Sequence, residues 1–195
     1  MISKQTPSQT VGPYFAYGLT AEQYGYPHTQ IASGRMADEA TAGERIRLVG
    51  RVLDGAGVAI PDAMIEVWQA DAAGRYPDAR GAKGNAAFTG FGRQGTGTDP
   101  DNRFVFDTVK PGRIDADQAP HLTLIVFMRG LLSHAYTRAY FSDEAAANAT
   151  DPVLASVPAE RRATLIAERV EGASPTTYRF DIHMQGDRET VFFDV

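Results

Sequence analysis

The stretch Glu66–Tyr76 holds the residues whose types and spacing are best suited to chemistry. It begins as an alternating apolar segment that carries the only tryptophan of the chain, Trp68, and it then turns at Ala72-Ala73-Gly74. The turn places Tyr76 just past the end of a predicted strand. A phenol in that position can bind a metal, carry a proton or cover a pocket.

The histidines are the other candidate ligands, and there are four: His28, His121, His134 and His183. His121 opens the most apolar segment of the chain, so its ring can point into the molecule, whereas the surroundings of His183 are more typical of a structural residue. No HxH, HxxxH or HExxH spacing occurs, so no single element offers two close histidine ligands. The residues themselves predict no more than a pocket near Tyr76 and His121.

Composition excludes several classes of protein. The 195 residues fit one sizeable domain, and the absence of cysteine excludes disulfides and thiolate metal sites and fits the cytoplasm. The net charge of -5, without a basic block, argues against nucleic-acid binding. The first residues lack the apolar core of a signal peptide, and the longest apolar run is far too short to cross a membrane.

The elements that must position these residues are mostly strands. Alternating or continuous apolar patterns predict strands at 46–54, 63–69, 103–109, 121–128, 134–141, 178–184 and 190–195, with a further short one at 88–94. Two short helices are predicted, one capped by Ser142-Asp143-Glu144 and one starting at Pro158. This pattern indicates a mainly β fold, an antiparallel β-sandwich of about eight to ten strands.

Residues 1–45 are treated separately from the single β-sandwich domain predicted for 46–195. They have no helical or strand period, which is typical of a disordered tail. Their aromatic residues Tyr14, Phe15 and Tyr17 are unusual for disorder and favour an ordered arm that packs on another surface.

Five motifs together carry a resemblance to a known family. They are Ser8–Phe15, Glu66–Tyr76, Val109–Gly112, Ala119–His121 and Arg138–Phe141. With these motifs in this order, the chain resembles the intradiol ring-cleaving dioxygenases over nearly its whole length. The resemblance implies the immunoglobulin-like sandwich of that family and a ferric site built from two tyrosines and two histidines.

Half of that ligand set is missing here. By resemblance, Tyr76 and His121 match one tyrosine and one histidine, whereas Ile114 and Thr123 stand where the other two ligands are expected. No tyrosine occurs between Tyr76 and Tyr136, so a shift in alignment cannot restore the set. Isoleucine donates nothing to a hard cation such as Fe(III), and a threonine hydroxyl is a poor substitute for imidazole.

Two further positions near the expected site have changed character. The family's catalytic arginine corresponds to Gln118, and a glutamine that faces the substrate corresponds to Arg138. A guanidinium places a permanent positive charge where a metal would otherwise lie. The resemblance therefore implies a vestigial site that binds no metal, and no catalytic residue in this chain.

The family also contains enzymes made of two homologous chains, and the resemblance implies that this chain is the non-metal subunit of one. A homologous β subunit would bind Fe(III), and the two chains would form a heterodimer that assembles further. Protocatechuate and O2 would meet at the interface, where ring cleavage gives 3-carboxy-cis,cis-muconate. The residues implied to wall that pocket are Thr10, Gly12, Pro13, Tyr14 and Arg129.

Two alternatives stay open at this point. One is a metal-free scaffold or binding module for an aromatic acid on the same sandwich, with a pocket near Tyr76 and Arg138. The other is a self-sufficient dioxygenase with an unusual ligand set, against which the missing ligands argue. For Arg129 in particular, an ordinary solvated arginine in a turn is as consistent with the sequence as a substrate contact.

Overall fold

The computed structural model describes residues 9–12, 14–77 and 88–195, and strands dominate them. The nine strands are β1 (Arg45–Leu53), β2 (Met64–Trp68), β3 (Phe91–Gly95), β4 (Arg103–Val109), β5 (His121–Phe127), β6 (Ala135–Phe141), β7 (Ile166–Val170), β8 (Thr176–Arg179) and β9 (Ile182–His183). The prediction of a mainly β fold is confirmed. Strand bounds agree with the predicted ones to within one residue at 45–53, 64–68, 103–109, 121–127 and 135–141.

The helices are short and lie outside the sheet. They are α1 (Tyr14–Leu19), α2 (Ala145–Asn148) and α3 (Pro152–Ser156), with 3-10 turns at Ala21–Tyr24, Ser142–Glu144 and Ala159–Leu165. In the described part of the chain no helix is long and apolar enough to cross a membrane. The helix predicted from Pro158 is a 3-10 helix, and α3 was not predicted.

The sheet is mixed, which corrects the prediction of purely antiparallel pairing. Its strands follow the order β3-β2-β5-β6-β7-β8-β1-β4, with β9 beside β1. Strand β1 runs parallel to β8 and β9, and β6 runs parallel to β7. These parallel pairs join segments far apart in sequence, and local alternation carries no information on such pairing.

A segment from the N-terminal 45 residues links the two edge strands of the sheet. The backbone N–H of Met36 donates to the carbonyl of Asp107 on β4 at 2.9 Å, and the N–H of Arg93 on β3 donates to the carbonyl of Ser33 at 3.1 Å. The exposed edges are thereby paired, and the sheet nearly closes into a barrel. Part of the predicted arm therefore belongs to the body of the fold.

The core lies on one side of each strand. Leu122, Leu124 and Val126 of β5 are fully buried there, together with Phe104 and Phe106 of β4. On β2 the expected alternation holds, since Ile65 and Val67 are buried in this core while Trp68, on the opposite face, is 44% exposed.

The single strand predicted at 178–184 is divided into β8 and β9, and two further local predictions are wrong. The start of α2 has no side-chain cap, because Ser142 instead accepts a hydrogen bond from Arg169 N at 3.0 Å and Asp143 binds Lys110 and the hydroxyl of Tyr178. Residues 190–195 contribute one isolated bridge, Phe193 to Tyr136, rather than a strand paired along its length.

Candidate functional site

Three residues of the implied vestigial site, His121, Thr123 and Arg138, lie on the face of β5 and β6 that is turned away from the core. His121 pairs in register with Tyr140, and Thr123 pairs with Arg138, so the four side chains share that face. Trp68 lies beside Thr123 on the neighbouring strand. The sheet thus brings together residues that the sequence places 70 positions apart.

His121 is buried and held in one tautomer. Its Nδ1 lies 2.8 Å from the carbonyl oxygen of Ala119, and because a carbonyl only accepts, Nδ1 carries the proton. Burial lowers the pKa of His121, and the charge of Arg138 lowers it further, against an opposing contribution from the bond to Ala119. The ring is therefore neutral near pH 7, and its unprotonated Nε2 is a hydrogen-bond acceptor.

Arg138 is held by two neighbours. Its Nη1 donates to Oε1 of Gln118 at 3.0 Å and to the hydroxyl of Tyr140 at 3.3 Å. The Tyr140 hydroxyl donates in turn to Oδ1 of Asp151 at 3.1 Å, and burial raises the pKa of Tyr140 to about 12. The guanidinium is thus anchored to a buried network rather than left in solvent.

Asp151, which the sequence analysis did not single out, organises that network. It is fully buried, it caps α3 by accepting from Leu154 N at 2.8 Å, and its other oxygen accepts from Ala119 N at 2.8 Å. One carboxylate therefore ties α3, Tyr140 and the segment that precedes His121 together. The signal that could have revealed it is Asp151-Pro152, an N-cap residue followed by proline at the first helical position.

Tyr76 completes the group from the other side. It is 48% exposed, and burial raises the pKa of its phenol while the charge of Arg138 offsets part of that rise. The turn before it is tightly packed: a Cβ on Gly74, whose φ is +78°, would lie 1.8 Å from the carbonyl oxygen of Arg113. This contact brings the segment containing Ile114 close to the turn that delivers Tyr76.

The donor set does not fit a ferric ion. Tyr76 and His121 are available, but Ile114 offers no donor and Thr123 faces Arg138 across the strand pair. Within residues 9–12, 14–77 and 88–195, no group of three or more His, Cys, Asp or Glu side chains could hold a metal. The charge of Arg138 opposes a cation here, because like charges repel strongly where solvent is restricted.

The residues implied to wall a partner's pocket form a second group. Thr10 Oγ1 accepts a hydrogen bond from Gly130 N at 2.9 Å, and Arg129 forms an ion pair with Asp62. Gly12 and Tyr14 are exposed beside this contact in sequence, and Pro13 lies outside the described residues. The arm is therefore attached to the turn between β5 and β6.

The two groups stand at opposite ends of β5. His121 is the first residue of that strand, whereas Arg129 and Gly130 follow its last residue, Phe127. At about 3.3 Å per residue, roughly 20 Å separates the ends of a seven-residue strand. One chain thus carries the buried His121 with its neighbours at one end of the strand and an exposed polar corner at the other.

Comparison with known proteins identifies the family. The family model described as "Dioxygenase" matches residues 12–186. The chain belongs to this dioxygenase family. The fold also matches a solved structure, that of an intradiol ring-cleavage dioxygenase from Tetranychus urticae. The TM-score is 0.57 at 17% sequence identity, and the match covers 93% of this chain and 94% of that one. The chain thus has the fold of the intradiol dioxygenases, as the resemblance of the five motifs predicted.

The relatives include both kinds of subunit. The chain is 59% identical over 193 residues to the protocatechuate 3,4-dioxygenase alpha chain of Burkholderia cepacia, covering 98% of each sequence. It is 32% identical over 179 residues to the beta chain of the same enzyme from B. cepacia, covering 85% of this chain and 75% of the relative. This chain is therefore similar to both the alpha and the beta chain of one enzyme, and more similar to the alpha chain.

Proposed function

We propose that this chain is the non-metal α subunit of a protocatechuate 3,4-dioxygenase. With a homologous iron-binding β subunit it would cleave protocatechuate with O2 to 3-carboxy-cis,cis-muconate, a step of aromatic catabolism in the cytoplasm. Both oxygen atoms of O2 enter the product, so no other co-reactant is needed. The observation that carries the proposal is the 59% identity to an alpha chain across 98% of both sequences.

The intradiol family is iron-dependent, and we assign the iron of this complex to the β subunit alone. The support is the donor set at the vestigial site, where Ile114 and Thr123 replace ligands and Arg138 is anchored to Gln118 at 3.0 Å. On this assignment Tyr76 and His121 are remnants, and the chain contributes no metal ligand and no catalytic residue.

The contribution of this chain would be part of the pocket wall. Thr10, Gly12, Pro13 and Tyr14 would lie in the arm, residues 1–45 in the proposed division, that packs on the β subunit. Arg129 would meet the substrate carboxylate, for which a guanidinium fork is a suitable partner. The support is the hydrogen bond from Gly130 N to Thr10 Oγ1, because Gly130 is the residue after Arg129.

Under the same proposal, residues 46–195 would form a single domain, a two-layered, immunoglobulin-like sandwich. One layer would contain β2, β3, β5 and β6, and the other would contain β1, β4 and β8. The support is a single buried cluster that draws Val67 and Leu124 from the first set and Leu48, Phe106 and Tyr178 from the second.

A second candidate function is a metal-free module that binds an aromatic acid at the vestigial pocket. Trp68 and Tyr76 are half exposed, and the charge of the cationic Arg138 acts on the phenol of Tyr76, which favours an aromatic anion as the ligand. This candidate predicts saturable binding of protocatechuate to the isolated chain, lost in Arg138→Gln, without any partner.

The test of the main proposal is co-expression with the homologous β chain. Each chain alone and the purified complex are assayed for ring cleavage of protocatechuate by oxygen uptake and by product absorbance. Turnover by the complex, with none by this chain alone, is the expected result. A stable complex whose activity equals that of the β chain alone would remove this chain from the reaction and favour the second candidate.

A further inference from the structure

Asp62 and Arg129 form an ion pair that joins two loops at the exposed corner. Asp62 lies in the turn before β2, and Arg129 lies two residues past the end of β5, so the pair is made by loops far apart in sequence. The side chain of Asp62 is 19% exposed and that of Arg129 is 58% exposed. The acid is therefore mostly enclosed, whereas its basic partner still faces solvent.

The carboxylate of Asp62 depends on this pair. Its Oδ2 atom is buried and accepts no hydrogen bond from the described residues, and the atom in contact with it is Nε of Arg129. A buried carboxylate without a compensating charge is strongly unfavourable. The charge of Arg129 thus stabilises Asp62, and Asp62 in return restricts where the long side chain of Arg129 can lie.

The arginine side chain keeps part of its surface in solvent beside this ion pair, since it is 58% exposed. A guanidinium carries five donors in a planar fork, and the closest approach of Asp62 is to Nε. Donors on the exposed side of the fork can bind a carboxylate in the bidentate manner that suits this group. The neighbouring residue, Gly130, is tied to Thr10 of the arm at 2.9 Å, so the same corner carries both features.

We propose that Asp62 is a positioning residue that holds Arg129 ready for the carboxylate of the substrate. The inference rests on the proposed function, in which Arg129 contacts that carboxylate at the interface with the β subunit. Without Asp62 the arginine side chain regains its rotamer freedom, and binding must then fix it again. Loss of Asp62 should therefore weaken the binding of substrates that have a carboxylate and leave the binding of substrates without one unchanged.

The experiment uses the complex with the β chain and compares protocatechuate with catechol, which lacks the carboxylate. Asp62→Asn, Arg129→Ala and the double variant are measured for kcat and KM on both substrates. Asp181→Asn is the matched control, because Asp181 is also 19% exposed and pairs with Arg51 at 3.2 Å on another strand. Iron content and thermal unfolding establish that each complex is intact.

The expected result is a rise of about 3- to 10-fold in KM for protocatechuate in Asp62→Asn, with kcat and the kinetics on catechol unchanged. In the Arg129→Ala background, Asp62→Asn should add nothing to the loss, because its effect passes through the arginine. In Asp181→Asn, the ratio of the KM for protocatechuate to the KM for catechol should be the same as in the unmodified complex.

Three outcomes overturn the inference, and they differ in what they imply for the proposed function. If Arg129→Ala lowers the preference for protocatechuate but Asp62→Asn does not, Asp62 plays no positioning part and the proposed function stands. If Arg129→Ala leaves the preference unchanged, the assignment of Arg129 within the proposed function fails as well. An equal effect of Asp62→Asn on both substrates shows a structural role alone.

Discussion

Arg138 and Gln118 are hydrogen-bonded to each other, with 3.0 Å between Nη1 and Oε1. By the resemblance of the motifs, catalytic members of the family carry arginine at the position of Gln118 and glutamine at the position of Arg138. The resemblance therefore implies an exchange of the two residue types, and in this chain the two residues are in contact. The cation lies on β6, directly opposite Thr123, where the resemblance implies a histidine ligand.

Restoring the ligands without removing this cation should therefore fail to restore iron binding. Ile114→Tyr with Thr123→His rebuilds two tyrosines and two histidines, but Arg138 remains. At an effective dielectric of about 20, two unit charges about 4 Å apart repel by about 4 kcal/mol, and a triply charged ion increases that repulsion. Adding Arg138→Gln should raise the iron affinity by at least about 100-fold, measured by iron content and visible absorbance.

Arg138→Gln alone is the control for this series, and it should bind no iron, because two ligands are still missing. The variant that exchanges the two residues, Arg138→Gln with Gln118→Arg, retains a pair that can hydrogen-bond. It tests whether iron binding depends on which of the two positions carries the arginine. Full iron loading of the double ligand variant with Arg138 in place would show that this arginine does not keep the metal out.

Gly12→Leu should impair turnover of the complex and leave this chain intact. A Cβ on Gly12 would meet no atom of the described residues within 4 Å, so the branch point of a larger side chain fits there without a clash with them. Glycine allows close approach of another backbone or ligand, and a leucine there would obstruct the partner's pocket. We expect a loss of at least about 10-fold in kcat/KM with unchanged iron content. Gly18→Leu, also without close neighbours, is the control of equal bulk.

The buried imidazole of His121 makes stability depend on pH. Because burial lowers its pKa in the folded chain, the unfolded chain binds the proton more readily below about pH 6.5. The stabilisation is complete above that pH and is lost as pH falls through the lowered pKa. Denaturant unfolding between pH 7 and pH 5 should show this decline.

His121→Asn should flatten that decline, because the amide can still donate to the carbonyl of Ala119 but does not titrate. The pKa of His183 is also lowered by burial, but the ring is less enclosed, so His183→Asn should change the slope less. A pH profile that is identical with and without His121 would contradict the neutral, buried state assigned to it.

Lys110 should be important for folding rather than for chemistry. It opens the turn that leads to Ile114, is 14% exposed, and binds Asp143 Oδ2 at 3.1 Å and Glu144 Oε1 at 2.7 Å. Removing one partner of a buried pair costs about 3–5 kcal/mol, and the partial exposure of both acids reduces this to roughly 2–3 kcal/mol. Lys110→Met, which keeps most of the apolar stem, should lower the free energy of unfolding by that amount.

The control for Lys110 is Arg47→Met. Arg47 pairs with Asp107 at 2.7 Å, but both side chains are more than 40% exposed, and such pairs contribute about 0–1 kcal/mol. Equal losses for the two variants would show that burial does not set the strength of the lysine cluster.

Local patterns in the sequence predicted the strands well and their pairing poorly. The strands 45–53, 103–109 and 121–127 follow from alternating or continuous apolar residues, because burial on one or both faces imposes those patterns. The parallel neighbours β1 and β8 could not be predicted in this way, since their contact joins residues about 130 positions apart. The weak pairing at 190–195 likewise depends on tertiary contacts.

The same limit applies to the site. The motifs drew attention to Tyr76, His121 and Arg138, but not to the buried carboxylate of Asp151, which binds the hydroxyl of Tyr140 and the backbone N–H of Ala119. Asp151 contacts Tyr140, Ala119 and Leu154. Sequence spacing reveals the contact with Leu154 alone, because the other two join segments far apart in the chain. The ion pair of Asp62 with Arg129 escaped notice for the same reason.

The most direct test of the account is where the iron of the complex is bound. The complex with the β chain is prepared with Tyr76→Phe in this chain, and its iron content, visible absorbance and ring-cleaving activity are compared with those of the unmodified complex. We predict one ferric ion per αβ pair, with all three properties unchanged, and no iron in this chain purified alone. Loss of iron or colour in Tyr76→Phe, or stoichiometric iron in the isolated chain, would contradict the assignment of the metal to the β subunit.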